Sequence, residues 1–215
     1  MAKTPGKGSP RKPRTRSRAG AKAVPRGGEK GRQQRALADV ARVLRKLEHP
    51  SAIIGGIAVI AWGYARFTAD IDCAIAAPVE ELTELNAAFA AAGFEPRAAD
   101  AVAFAQESLV LLLTHKDTGV AVDVSLALLA FEREALESTV ARTYGDVSIQ
   151  VPRLADLFIY KMIASRPKDL QDLRGLLALG YRVDSEHIAS TLGAFDEVLD
   201  TNRRGAWLRL LEETR

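Results

Sequence analysis

The stretch GGIAVIAWGYARFTADIDCAIA, Gly55 to Ala76, decides the reading of this chain. Two glycines open an almost wholly apolar run, and two aspartates then stand one residue apart among Ile, Cys and Ala. Alternate side chains of a strand share a face, so TADIDCAIA predicts a strand with Asp70 and Asp72 on one side and Ile71, Cys73 and Ile75 on the other. The pattern returns in GVAVDVSLA, residues 119–127, where Val120, Val122 and Val124 alternate with Asp123 and Ser125. Side by side in one sheet, these strands bring three carboxylates to one face.

An acidic pair at this spacing also suits a solvated sheet edge. The neighbours on the acidic face are Ala74, Ala76 and Ala121, which are small and leave room, and Asp is a poor strand former. Three like charges without cations raise one another's pKa values, a strain that divalent metal binding would relieve. Gly55-Gly56 falls where a short strand, SAIIGG, turns into the buried helix IAVIAWGYA. Such a turn is either merely tight or a place where free backbone N–H groups hold phosphate.

Other segments fall around this centre. Leu37, Val40, Ala41, Leu44 and Leu47 recur at helical spacing before Pro50, and VEELTELNAAFAAAG predicts a helix closed by Gly93. SLVLLLT and VAVDVSL, 108–114 and 120–126, predict paired strands; STVARTY and VSIQV predict a hairpin about Gly145-Asp146. From Pro152 onward, four segments with helical periodicity and Pro or Gly punctuation follow. The expected class is α+β: a small mixed sheet with flanking helices over 36–151, then a helical cap over 152–215.

Composition sets the remaining bounds. At 215 residues, 47% hydrophobic and 27% charged, the chain has material for one ordinary soluble domain with extensions. Residues 1–35 hold twelve Lys and Arg against one acid, whereas the rest carries 18 bases and 26 acids. With few large apolar side chains, the first 35 residues are expected to form a disordered basic tail. That tail suits a solubilising extension, a nucleic-acid arm or a transit peptide. One cysteine, Cys73, excludes an intrachain disulfide and fits a core thiol. His49, His115 and His187 are scattered singly, and Trp62 and Tyr64 read as core. The absence of a long apolar run or a signal-like start leads to the expectation of a cytoplasmic protein without a membrane span.

Gly-Gly, then Asp-Ile-Asp after 13 intervening residues, then an apolar-Asp-apolar strand, together resemble the DNA polymerase β-like nucleotidyltransferase superfamily. Within it, GGIAVIAWGYARFTADID is similar to the AbiEii-type abortive-infection branch, and PRLADLFIYKMIASRPKDLQDL to that branch's downstream Lys- and Asp-containing helical motif. The resemblance spans roughly Ile53 to Leu173. It implies transfer of a nucleoside monophosphate from a triphosphate to an acceptor hydroxyl, with release of pyrophosphate.

The resemblance also implies roles. Asp70, Asp72 and Asp123 would be catalytic and hold magnesium or manganese, Asp123 also serving as a proton acceptor. Gly55 and Gly56 would cradle the terminal phosphates, with Arg66, Thr68 and Lys161 as further nucleotide-binding positions and Lys161 on a phosphate. The second glycine position is often Ser in the family, so a hydroxyl contact to phosphate is missing here. Arg66 alternatively fixes its loop by bonding a carboxylate. Asp169 and Asp172, three apart on one helical face, would brace the site or contact metal. Implied partners are the triphosphate, an RNA or tRNA acceptor and an antitoxin, in a toxin–antitoxin or phage-defence setting. The alternatives are a catalytically silent nucleic-acid or protein-binding module on the same fold, and a metal-dependent nuclease.

Overall fold

The computed structural model describes residues 27–214. Residues 1–26, and with them most of the expected basic tail, lie outside the described residues. Helix α1 spans Gly27–Leu44 and therefore starts inside the stretch assigned to that tail, which corrects the expectation for 27–35. The reason is visible in the spacing: Gln33 precedes Ala36, Leu37, Val40 and Leu44 on one buried face.

Five strands form the main sheet: β1 (Ser51–Ile53), β2 (Ile71–Ile75), β3 (Phe94–Pro96), β4 (Val110–His115) and β5 (Ala121–Leu126). Their order is β1-β2-β5-β4-β3, with β2 parallel to β5 and every other neighbouring pair antiparallel. Strands β4 and β5 alternate strictly, burying Leu111, Leu113 and His115 and Val122, Val124 and Leu126. The parallel β2–β5 pair requires a crossover. It is supplied by a helix at Leu82–Ala91 (α3), β3, a helix at Ala101–Ser108 (α4), and β4.

Helix α2 (Gly55–Ala61) follows β1 directly. Helix α5 (Ala130–Glu137) leads to a separate hairpin of β6 (Val140–Tyr144) and β7 (Val147–Val151), in the register Tyr144 opposite Val147. Strand β3 and helices α4 and α5 have no counterpart among the sequence expectations; the other predicted elements are present. Asp100 caps α4 by accepting the Ala103 N–H at 3.0 Å.

The expected helical cap comprises α6 (Leu154–Ala164), α7 (Pro167–Ala178), α8 (Ser185–Leu199) and α9 (Arg203–Glu213). One apolar cluster runs from Leu37, Ile57 and Val124 to Leu157, Leu173 and Trp207. Phe158 meets Trp207 edge to face at 5.5 Å, and the Trp62 indole donates to the Pro152 carbonyl at 3.2 Å. The cap is thus packed onto the sheet body through shared core. No helix among the described residues is long and apolar enough to cross a membrane.

Candidate active site

The parallel register sets Asp72 directly beside Asp123, because β2 and β5 run the same way and pair Ile71 with Val122 and Cys73 with Val124. Their apolar neighbours fill the core, so both carboxylates emerge on the opposite face. Asp70 stands at a bend one residue before β2, and its Oδ1 accepts the Thr68 hydroxyl at 2.8 Å. The Asp72 carboxyl is pushed above the ordinary range by burial first and then by the charges of Asp70 and Asp123, with Lys161 and Lys168 opposing. The three acids are therefore one electrostatic group, as the alternation of the two strands predicts.

They do not stand equally free. Asp123 is ion-paired with Arg97, a residue just past β3 that sequence reasoning did not single out. Among the described residues, no group of three or more His, Cys, Asp or Glu side chains is placed so that it could hold a metal ion. Carboxylates are oxygen donors of the kind that hard divalent cations take.

Gly55 opens α2 with φ of 62°, and a Cβ there would lie 1.9 Å from Asp72 Oδ2. At Gly56 a Cβ would fall 2.5 Å from Thr68 Oγ1 and 2.7 Å from Arg66 Nη2. The glycines make room for the site's own side chains before any phosphate arrives. The Ile54 N–H donates to the Asp72 carbonyl at 2.9 Å, locking the turn against β2.

Arg66 Nε lies 2.7 Å from Asp172 Oδ1, an ion pair without hydrogen-bond geometry, and its Nη1 donates to the Phe67 carbonyl at 2.8 Å. Lys161, expected on a phosphate, is bonded here by two carboxylates. Its side chain is 4% exposed, and Nζ donates to Asp169 Oδ1 at 3.0 Å and to Asp172 Oδ2 at 2.8 Å. An ammonium that deep takes the nearest anions, and α7 supplies two, with 0% and 1% exposure. Asp169 and Asp172 tie α7 to α6 through Lys161, and Asp172 also pairs with Arg66 of the loop that leads to Asp70. Asp169 also accepts the Arg166 N–H at 3.2 Å and its Nε at 2.6 Å. Burial raises the Asp169 carboxyl, but bonds from Arg166 and Lys161 outweigh it and hold the group below the ordinary range.

Arg166 and Lys168, at the start of α7, are near enough to the acids for their charges to be felt, and neither was picked out by the sequence reading. The signal was there in SRPKDL, where two cations flank a helix-opening proline. Beside the Arg66–Asp70 loop lies a cavity of about 670 Å³, lined by Gln33, Phe67, Thr68, Thr118 and Tyr144 among others. Cys73 is fully buried, and burial pushes its thiol far above the ordinary value, as befits inert core.

A mixed sheet that presents aspartates on paired strands next to a Gly-Gly helix start is the framework of a nucleotidyltransferase. Residues 35–212 match the family described as "Nucleotidyl transferase AbiEii toxin, Type IV TA system". The chain belongs to this family and is a nucleotidyltransferase. No curated protein matches it. Among solved structures, it is similar to the solution structure of antibiotic-resistance factor ANT(2'')-Ia, with 17% identity and a TM-score of 0.55 over 86% of this chain and 100% of the other. It is also similar to an antigenic nucleotidyltransferase-like protein from Paracoccidioides brasiliensis, with 14% identity and a TM-score of 0.51 over 86% and 94%. At such identities the likeness is one of fold.

Proposed function

We propose that this nucleotidyltransferase uses a divalent metal to move a nucleoside monophosphate from a triphosphate onto an RNA hydroxyl, and that it is the toxin of a toxin–antitoxin pair. The observation that carries the catalytic part is the Asp72–Asp123 pairing, with Asp70 near enough for its charge to act on Asp72. Asp70 and Asp72 would hold magnesium or manganese, with Asp123 completing the set once Arg97 yields it. Bound there, the metal supplies charge to the attacking and leaving oxygens as the α-phosphate reacts. The Gly55 and Gly56 amides would take terminal phosphates, and Arg166 and Lys168 offer cations at the rim.

Thr68 orients Asp70 through its hydroxyl, and Arg66 fixes the loop through Asp172 rather than through substrate. The RNA acceptor is favoured by the basic sequence of residues 1–35, and the antitoxin partner by the family's type IV toxin description. The buried lone cysteine suits a reducing cytoplasm. A second reading has one observation behind it: Arg97 on Asp123 would suit a catalytically silent binding module.

The test is incubation with each labelled triphosphate, magnesium or manganese, and total RNA, beside Asp70→Ala and Asp72→Ala. Label should enter RNA from a preferred triphosphate and fall to background in both variants. Equal labelling by all three proteins would support the silent module, and RNA shortening without added nucleotide would support a nuclease.

A further inference from the structure

We propose that Gln33 of α1 is a positioning residue for nucleotidyl transfer, holding Asp70 where the sheet does not. Asp72 needs no such help, because its backbone lies inside a strand paired on both sides, to β1 and to β5. Asp70 precedes β2, at a bend that follows the irregular stretch from Tyr64 to Ala69. The Gln33 side chain, 7% exposed, reaches this bend: its Nε2 donates to the Thr68 carbonyl at 3.0 Å and to the Asp70 carbonyl at 3.4 Å. Its Oε1 accepts the Tyr144 hydroxyl at 2.5 Å, from the end of β6.

This arrangement fixes which way the amide faces. Both partners of Nε2 are carbonyls, which only accept, and the tyrosine beside Oε1 is free to donate. A glutamate at 33 would face two carbonyls with an acceptor, so the requirement is for an amide and not for size. Gln34 secures the same helix from the next position, since a Cβ at Gly145 would lie 1.4 Å from its Nε2. A path of contacts thus leads from the β6–β7 turn through α1 to the Thr68–Asp70 backbone, and from Thr68 Oγ1 to the Asp70 carboxylate. Gln33 lies just before the segment that matches the family.

The experiment compares the full chain with Gln33→Leu, Gln33→Glu and Tyr144→Phe. Hydrogen exchange of Gln33→Leu should show faster uptake in peptides covering 64–72 and unchanged uptake across β4 and β5. In the transfer assay with labelled triphosphates and total RNA, kcat should fall about 10²-fold, the scale of a small misplacement of a reacting group, with a far smaller change in KM. Gln33→Glu should be impaired at neutral pH and recover as the pH is lowered, because a protonated carboxyl donates to the Thr68 carbonyl. Tyr144→Phe should lie between. Arg42→Ala, in the same helix but paired with Asp39 and exposed at the surface, should match wild type.

Unchanged uptake at 64–72 in Gln33→Leu overturns the proposal, and so does faster uptake with unchanged kcat. If Gln33→Leu fails to fold, a Gln33→Glu pH profile that tracks wild type overturns it equally. The exchange measurement needs no substrate: if wild type labels nothing, the RNA reading fails while uptake at 64–72 still decides the role of Gln33.

Discussion

Two groups of aspartates stand on either side of the Arg66 loop, and the protein treats them in opposite ways. On the sheet, Asp70, Asp72 and Asp123 are crowded with like charge, and the Asp72 carboxyl is driven upward by burial and by its neighbours. On α7, Asp169 and Asp172 are more deeply buried, yet Lys161, Arg166 and Arg66 neutralise them and Asp169 is held low. The same side chain is a desolvated acid crowded by like charge in one place and half of an ion pair in the other. Burial alone does not separate them; the supply of local cations does. Among the sheet acids Asp123 has Arg97 beside it while Asp70 and Asp72 are in no ion pair among the described residues, whereas both helix acids have their cations built in.

The largest test of that contrast is Lys161→Met. Removing the ammonium leaves two buried carboxylates short of charge, and breaking a buried pair in this way costs about 3–5 kcal/mol. Urea unfolding followed by circular dichroism should show that loss. A change below about 1 kcal/mol would mean that the ammonium is not needed by the brace, and would return Lys161 to the phosphate contact first expected of it.

A smaller effect should follow from Gly55→Ala, which attacks the other group. The new Cβ meets Asp72 Oδ2 and the backbone keeps a left-handed φ, so about 1–3 kcal/mol of strain is expected. Transfer should fall together with stability, since the clash is with the acid itself. A stable, fully active Gly55→Ala protein would show that Asp72 has room to move and that its crowding is not enforced.

Much of this contrast was legible in the sequence, but only one half of it fully. Period-2 alternation in TADIDCAIA and GVAVDVSLA marks the faces of Asp72 and Asp123, because side-chain direction in a strand is local information, whereas their side-by-side pairing is a property of the sheet. The destination of Lys161 was not local. It sits eight and eleven residues from its carboxylates across a helix junction, and a cation in a last helical turn has a sufficient explanation of its own. Arg97 escaped for a similar reason: β3 is three residues long and includes Pro96, too short to announce a strand, so nothing aimed Arg97 at Asp123. Gln33 was hidden by composition. The cations around it outweighed a helical spacing, Gln33 to Leu37 to Val40 and Ala41, that extends the amphipathic pattern one turn toward the N-terminus.

The finest test reads the two groups through pH, and the signs oppose. Asp169 is depressed in the folded protein, so its contribution to stability is present above the unfolded carboxyl value of 3.8 and is lost as pH falls through the lower folded value. Asp169→Asn should therefore be less stable than wild type at neutral pH, with the difference closing in acid. Asp72 is raised, so both states are protonated below 3.8 and the group then contributes nothing. As pH climbs past 3.8 the unfolded chain ionises first, and the folded protein carries a penalty that is complete once Asp72 itself has ionised. Asp72→Asn should accordingly match wild type in acid and exceed it at neutral pH, by less than either effect above, while losing transfer. Unfolding curves for both variants from pH 3 to 7 without divalent ions would decide it. Parallel slopes for the two variants would mean that the acids share one environment, and that the division between ligand and brace is wrong.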